Sequence, residues 1–112
     1  MEHALRQAFV QGFSRAVLIG SDIPDLTVEL MDEAFSSLRT NDAVIGPAFD
    51  GGYYLIGFNR DTLLSEVFEG MEWSTDTVFA ETLARLKASG LKAHQLPQQR
   101  DIDTLADLNL HL

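Results

Sequence analysis

The sequence predicts one α/β domain: a mostly parallel β-sheet flanked by helices, with one inserted β-hairpin. Apolar runs of strand length are separated by segments of helical periodicity, an order that is typical of parallel sheets. Two of these runs are instead joined by Asp50-Gly51-Gly52, which is typical of a hairpin turn. The length of 112 residues is enough for one domain, which would bury about two-thirds of the surface that its unfolded chain exposes.

The composition argues against several classes of function. The absence of cysteine excludes disulfides, thiolate metal sites and thiol catalysis. A net charge of −9 argues against nucleic-acid binding, which needs clustered positive charge. An anionic ligand would need a divalent cation to bridge it to the protein, and the simpler interpretation of the acidity is solubility. Without an apolar run of membrane-spanning length or a basic start followed by an apolar segment, we expect a cytoplasmic protein with no membrane span.

The first third of the chain is predicted to form a helix, a strand and a second helix. Glu2–Phe13 has apolar residues at helical spacing along one face. Arg15–Gly20 is predicted to be a strand buried on both faces, because its apolar residues are continuous rather than alternating. A second helix is predicted from about Val28 to Leu38, with Thr27 as its N-cap.

The middle of the chain is predicted to form a β-hairpin. In Asp42–Phe58, two apolar runs flank Asp50-Gly51-Gly52, whose residues tolerate the positive φ that tight turns need. Pro47 in the first run suits an edge strand or a bulge. Arg60–Phe68, which follows, is predicted to be short helix and loop.

The last third of the chain is predicted to form helix, strand and helix. The clearest helix has Ser74 or Thr75 as its cap and ends at Gly90. Leu91–Leu96 is predicted to be a short strand. Capping-box spacing in "DIDTLADLNL", residues 101–110, predicts a closing helix. The predicted order of elements is therefore α-β-α-β-β-α-β-α.

Aspartates close to strand ends are candidate metal ligands. Asp22 comes directly after the first predicted strand, and ligands of open α/β sheets gather beyond the carboxyl ends of strands. Mg²⁺ prefers oxygen ligands and commonly takes one or two carboxylates together with substrate phosphates. Asp101 and Asp103, after the strand Leu91–Leu96, could supply the second carboxylate. The pattern alone somewhat favours Asp22 as a turn or helix-cap residue, and Asp103 could likewise be only the residue before a helix cap.

Two other segments have both a structural and a functional interpretation. Asp50-Gly51-Gly52 is either a plain turn, which the local pattern favours, or a binding loop in which Tyr53 and Tyr54 offer stacking faces. Trp73-Ser74-Thr75 precedes a predicted helix N-terminus, which is suited to anions. Trp73 could instead pack on Val78 as a hydrophobic staple. These last two interpretations are compatible.

Taken together, four segments resemble a known family. In this order and spacing, "VLIGSDIPDL", "DAVIGPAFDGGYYLIGF", "MEWSTDTVF" and "DIDTLADL" are similar to the radical-SAM/selenodomain-associated transferases, a bacterial glycosyltransferase-like family. The family has the GT-A, or nucleotide-diphospho-sugar transferase, fold. The resemblance covers nearly the whole chain, and "GPAFDGGYYLIG" is its most specific part.

The resemblance implies a role for each matching residue. Asp22 and Asp103 would bind Mg²⁺ or Mn²⁺, which carries the diphosphate of a nucleotide-sugar. Asp50, with Gly51-Gly52-Tyr53, would form part of the pocket for the sugar or for an unknown acceptor, and Asp50 could act as the base if the reaction inverts configuration. Trp73-Ser74-Thr75 would lie at the pocket rim.

One departure from the family pattern leads to two alternative hypotheses. Complete members have two strand–helix units before the "GSD" strand, including a loop of glycine, lysine and arginine that holds the nucleotide, whereas here one helix precedes that strand. The chain therefore resembles the C-terminal half of a GT-A domain that lacks the N-terminal, nucleotide-binding part. It is either a metal-dependent transferase of sugar or nucleotidyl groups, or a non-catalytic remnant whose exposed strand edge is covered by a homodimer.

Overall fold

The computed structural model describes residues 2–20, 28–48, 51–69, 77–98 and 108–111. In chain order its elements are α1 (Glu2–Val10), β1 (Arg15–Gly20), α2 (Val28–Ser37), β2 (Ala43–Pro47), β3 (Tyr53–Asn59), a 3₁₀ turn (Ser65–Val67), α3 (Val78–Ala88), β4 (Ala93–Gln95) and β5 (Leu108–His111). Each of them except β5 corresponds to a predicted element of the same type, with boundaries that differ by a few residues.

The five strands form one mixed sheet in the order β4-β2-β3-β1-β5. β3 is antiparallel to both β1 and β2, and β5 is antiparallel to β1, while β2 and β4 are parallel. The expectation of a mostly parallel sheet is therefore wrong for the described strands. The reason is the hairpin: β3 returns between β1 and β2, so two strands that run in the same direction are no longer neighbours.

β5 replaces part of the predicted closing helix. Leu108–His111 is a strand that pairs with Val17–Gly20 of β1, whereas residues 101–107, which carry the capping-box spacing, lie outside the described residues. Pairing with β5 satisfies backbone groups along an edge of β1 that would otherwise lack partners. The alternation of apolar and polar residues in Leu108-Asn109-Leu110-His111 is a strand signal that the capping pattern obscured.

Helices cover both faces of the sheet, which confirms the predicted flanking layers. α1 and α3 pack on one face, and α2 packs on the other. The continuous run of β1 divides between the two faces: Ala16 and Leu18 lie in the first core, and Val17 and Ile19 lie in the second. The prediction that β1 is buried on both sides is therefore confirmed.

Structural hydrogen bonds concentrate at the edge of the sheet where β3 ends. The Asn59 side-chain amide donates to the carbonyls of Leu38 and Asn41, at 2.9 and 3.0 Å, and so caps the chain leaving α2. The Lys92 backbone N–H donates to the Asp42 carboxylate at 2.8 Å, close to the start of both β2 and β4. This edge is thus occupied by contacts that hold the fold together.

A surface contact between α1 and the 3₁₀ turn gives the fold a small dependence on pH. The Ser65 hydroxyl donates to the Glu2 carboxylate at 2.5 Å, and Arg6 donates to it at 2.8 Å. The Ser65 hydrogen bond, followed by that of Arg6, lowers the pKa of Glu2. Because the folded-state pKa lies below the unfolded one, this stabilisation is present above the unfolded pKa and is lost as pH falls through the folded pKa.

We therefore expect Glu2→Gln to reduce the melting temperature slightly near neutral pH, and to have a smaller effect in acid. Thermal unfolding of both proteins between about pH 7 and about pH 3 would measure the difference. Glu29→Gln, in the exposed first turn of α2, is the control. An effect of Glu2→Gln that grows toward acid would contradict the assignment.

Candidate functional site

Four strand ends meet at one end of the sheet, opposite the end that contains Asn59; we call this side, formed by strand ends and not by an outer strand, the edge of the site. β1 ends at Gly20, which pairs with Leu108 at the start of β5. β2 ends at Pro47, which pairs with Tyr53 at the start of β3. The carboxyl ends of β1 and β2 therefore lie on one edge with the beginnings of β3 and β5, and this is where an α/β sheet binds its ligands.

The predicted site residues fall partly within the described structure. Gly51, Gly52 and Tyr53 are described. The remaining predicted site residues lie outside the described residues: Asp22, Asp50, Trp73, Ser74, Thr75 and Asp103. The structure thus gives the geometry of the turn and of the strand ends, and no contacts for these other side chains.

The Gly51-Gly52 turn has the geometry of the predicted hairpin. The Ala48 N–H donates to the Gly52 carbonyl at 2.9 Å, and the Gly51 N–H donates to the Ala48 carbonyl at 3.2 Å. Gly51 has a φ of 93°, a conformation that side-chain-bearing residues rarely adopt. The pairing register shifts between Gly46 and Pro47, which agrees with a bulge, one of the two alternatives predicted for this proline; the other, an edge strand, is wrong because β2 lies between β4 and β3.

The turn is also fastened to α3. The Phe79 N–H donates to the Gly51 carbonyl at 2.9 Å. Phe79 is the second residue of α3, so its N–H is one of those that have no acceptor within the helix. The hairpin turn therefore satisfies an N–H at the start of α3 that a capping side chain would otherwise serve.

The helix cap lies later than the sequence suggested. Thr77, rather than Ser74 or Thr75, is the N-cap of α3, and its side chain makes no capping hydrogen bond. Val78 is consequently the first residue of the helix and is buried, instead of occupying the fourth position that a Trp73 staple would use.

Both tyrosines after the turn are fully buried. Tyr53 packs in the core beneath α1 and α3, and Tyr54 packs in the core beneath α2. Burial raises the pKa of both phenols, with a smaller opposing effect of the Thr82 hydroxyl on Tyr53 and a reinforcing effect of Glu33 on Tyr54. The described structure therefore favours the plain turn over the alternative in which their rings offer stacking faces, and both rings support the turn from within.

Tyr54 joins three segments at this edge, a role that the sequence analysis missed. Its hydroxyl donates to the Pro97 carbonyl at 2.8 Å, in the loop after β4. Its ring lies against Gly46, where an added Cβ would be 2.4 Å from the ring carbon Cζ. A glycine inside a strand often marks such a close approach, and this was the available signal.

The described part of the site contains few charges. Among residues 2–20, 28–48, 51–69, 77–98 and 108–111, no group of three His, Cys, Asp or Glu side chains could hold a metal. A metal at this edge would thus depend on aspartates of the flanking segments.

None of the helices in the described segments is long and apolar enough to cross a membrane.

Comparisons with known proteins give a family and a related structure. The family model for uncharacterized proteins conserved in bacteria (DUF2064) matches residues 1–75. A crystal structure from Desulfovibrio desulfuricans G20, described as a candidate nucleotide-diphospho-sugar transferase, is 47% identical and superposes with a TM-score of 0.87. The match covers 93% of this chain, and the chain spans 45% of that protein. A comparison with curated proteins finds no match.

Proposed function

The chain belongs to the DUF2064 family of uncharacterized proteins conserved in bacteria, and from that premise we propose that it forms the metal-binding and acceptor-binding part of a nucleotide-diphospho-sugar transferase. The observation that carries the proposal is the edge at which Gly20, the Gly51-Gly52 turn and Leu108 meet, in a fold shared with the Desulfovibrio protein. The reaction class is transfer of a sugar or nucleotidyl group from a nucleotide-sugar to an acceptor.

The proposed metal ligands are Asp22 and Asp103. Asp22 follows Gly20 by two residues, so its Cα lies within about 8 Å of the Gly20 Cα. Asp103 precedes Leu108 by five residues, and its Cα lies within about 19 Å of the Leu108 Cα. Because Gly20 and Leu108 are paired, both carboxylates can reach a common site. Their oxygens suit Mg²⁺ or Mn²⁺.

The cation would supply charge neutralisation. A bound divalent ion stabilises the negative charge that develops on a leaving diphosphate. The chain carries a net charge of −9, so a diphosphate would be repelled without such a bridge. The charge that argues against direct binding of anions therefore favours binding through a metal.

The proposed acceptor side is the hairpin turn. Gly51 and Gly52 have no side chains, so a ligand could approach their backbone closely. Asp50, the preceding residue, is proposed as the general base if the reaction inverts configuration. Trp73-Ser74-Thr75 would form the rim, since that segment leads into α3, whose second residue is bonded to Gly51. Tyr53 would support the turn from the core.

The finer assignments from the resemblance belong to the same proposal. They are membership of the radical-SAM/selenodomain-associated transferases, correspondence to the C-terminal half of the GT-A domain, and a cytoplasmic location. The chain spans 45% of the length of the Desulfovibrio protein, which is compatible with a half-domain. Complete transfer would then need nucleotide-binding residues beyond those of this chain, and binding rather than turnover is the appropriate test.

The test is titration of the chain with nucleotide-sugars in the presence and absence of metal. We expect saturable binding of a UDP- or GDP-sugar that requires Mg²⁺ or Mn²⁺. Binding is measured from the changes in amide chemical shifts in NMR spectra. Asp22→Ala and Asp103→Ala should each weaken binding by at least about tenfold, because each removes a charged metal ligand. Asp61→Ala is the control, since this exposed aspartate follows β3 at the opposite edge.

Two results would contradict the proposal. Unchanged binding by Asp22→Ala would remove the metal assignment. If the wild-type chain bound none of these ligands at millimolar concentration, a non-catalytic role would replace transfer. In that case, its elution volume at high concentration would test the alternative that it associates as a homodimer.

A further inference from the structure

A small concavity lies at the end of the sheet that contains Asn59, away from the edge of the site. It has a volume of about 240 Å³ and is lined by Phe13, Ser14, Arg15 and Phe35. Arg15 is the first residue of β1 and pairs with Asn59, whereas the edge of the site contains Gly20, the last residue of the same strand. The concavity is therefore separate from the proposed metal and acceptor site.

Backbone hydrogen bonds hold the segment that leads from α1 into β1 and carries three of the four lining residues. Gly12 has a φ of 103°, and the Phe13 N–H donates back to the Ala8 carbonyl at 3.3 Å, as in a Schellman motif. The Ser14 carbonyl accepts the Arg60 N–H at 2.9 Å. The fourth lining residue belongs to α2, which packs against the sheet. The lining is thus preformed, which reduces the cost of ordering it around a ligand.

Arg15 is a half-buried cation without a counter-ion in the described part of the chain. Its guanidinium makes no ion pair or hydrogen bond with any described residue, although the chain has seventeen acidic residues. Arg6 and Arg85, by contrast, each contact a glutamate carboxylate at 2.8 Å. Partial burial of a charge costs free energy unless an acceptor compensates for the lost water. The guanidinium of Arg15 is therefore available to an anionic ligand.

Two aromatic rings border the same concavity. Phe13 is exposed, and Phe35 is partly buried where α2 packs on the sheet. Arg15 lies on the same face of β1 as Val17 and Ile19, which pack beneath α2. A guanidinium thus adjoins aromatic surface. This combination suits a ligand that has both a carboxylate, which pairs with guanidinium in a fork of two hydrogen bonds, and a ring.

We propose that this concavity binds a small aromatic monocarboxylate, whose carboxylate accepts hydrogen bonds from Arg15 and whose ring packs against Phe13 and Phe35. A cavity of about 150 Å³ holds a benzene ring, so the volume here leaves space for a carboxylate beside the ring. A single negative charge is favoured over a phosphate, because the net charge of −9 repels a multiply charged anion more strongly. The proposal does not depend on the proposed transferase function.

Titration of the metal-free chain with phenylacetate, measured from amide chemical shifts in NMR spectra, tests the proposal. Because the concavity is open to solvent, we expect weak but saturable binding, with a Kd on the order of 1 mM and shifts centred on residues 13–15 and Phe35. Phenylacetamide has nearly the same shape without the charge, and acetate lacks the ring. Each should bind at least about fivefold more weakly than phenylacetate. This comparison of ligands needs no variant, so it does not depend on how a variant folds.

A matched pair of variants tests the role of Arg15. Arg15→Gln removes the charge and should weaken phenylacetate binding at least about fivefold, with unchanged amide shifts of Leu18 and Ile56 showing that the sheet is intact. Lys87→Gln removes an exposed cation at the end of α3, on the other face of the sheet, and should leave binding unchanged.

Three results would overturn the proposal. They are no saturable shift at these amides with phenylacetate at about 10 mM, equal binding of phenylacetamide or acetate, and undiminished binding by Arg15→Gln. Because neither metal nor nucleotide enters this titration, its failure would leave the proposed transferase function untouched. A chain that binds no nucleotide-sugar would likewise leave this result intact.

Discussion

Phe58→Ala is expected to lower the free energy of unfolding by about 3–5 kcal/mol, the range for deleting a buried aromatic ring. Phe58 is fully buried in β3, and its neighbours in register on β1 and β2 are Ala16 and Ala43. These small residues leave space for the ring, which packs edge-on against Phe68 with centroids 5.9 Å apart. Removing it would place three alanines side by side and leave a cavity that the paired strands cannot close.

Urea unfolding followed by circular dichroism measures this change. Phe13→Ala is the matched control, since Phe13 lies outside the helices and strands and is 41% exposed. We expect it to cost less than about 1 kcal/mol. Equal losses at the two positions would show that Phe58 is not central to the core beneath α1 and α3.

The sequence was sufficient for the local structure of most elements. β1 could be predicted because a continuous apolar run implies burial on both faces, and both faces are covered. The hairpin could be predicted because few structures other than a tight turn suit Asp50-Gly51-Gly52 between two apolar runs. Gly51 does adopt a positive φ. In these cases the physical cause lies within a few neighbouring residues.

The pairing of strands could not be predicted in the same way. Whether β3 lies outside β2 or between β1 and β2 depends on contacts between residues some 40 positions apart, such as Ala16 and Phe58. β5 is a similar case, because its partner, Val17–Gly20, is distant in sequence. Local periodicity contains no information on such neighbours, so the predicted sheet had too many parallel pairs.

In the candidate site, too, local features could be predicted, whereas features that depend on distant contacts could not. The sequence identified the turn, but it did not show that Tyr53 and Tyr54 are buried in the two cores, and it left open a binding loop in which their rings would stack on a ligand. Burial of these rings is decided by α2 and α3, which pack over the start of β3 from either face. The buried threonine at position 82 was missed for the same reason, and so was Tyr54 as the neighbour of Gly46, since a glycine inside a strand signals a close approach without identifying its partner. Residues that support a site are visible only when the layers around it are known.

Gly46→Ala is expected to destabilise the protein by about 1–3 kcal/mol, although it adds one methyl group. The new Cβ would be 2.4, 2.6 and 2.7 Å from the Tyr54 ring atoms Cζ, Cε1 and Cε2. The ring cannot turn aside without cost, because it is buried and its hydroxyl is bonded to Pro97. Either the strands separate at the end of β2 or the ring moves and the loop after β4 is released.

A double-mutant cycle with Tyr54→Leu tests this explanation. Leucine lacks the ring atoms that the methyl group would meet, so Gly46→Ala should cost clearly less in the Tyr54→Leu background than in the wild type, with a coupling energy of about 1–3 kcal/mol. If Gly46→Ala costs the same in both backgrounds, the clash with Tyr54 is not its cause. A positive result would establish Tyr54 as the side chain that holds β2, β3 and the loop after β4 together at the edge where we place the ligand. Nucleotide-sugar binding by Gly46→Ala should then weaken along with its stability, because the strand ends that support the pocket would no longer be fixed.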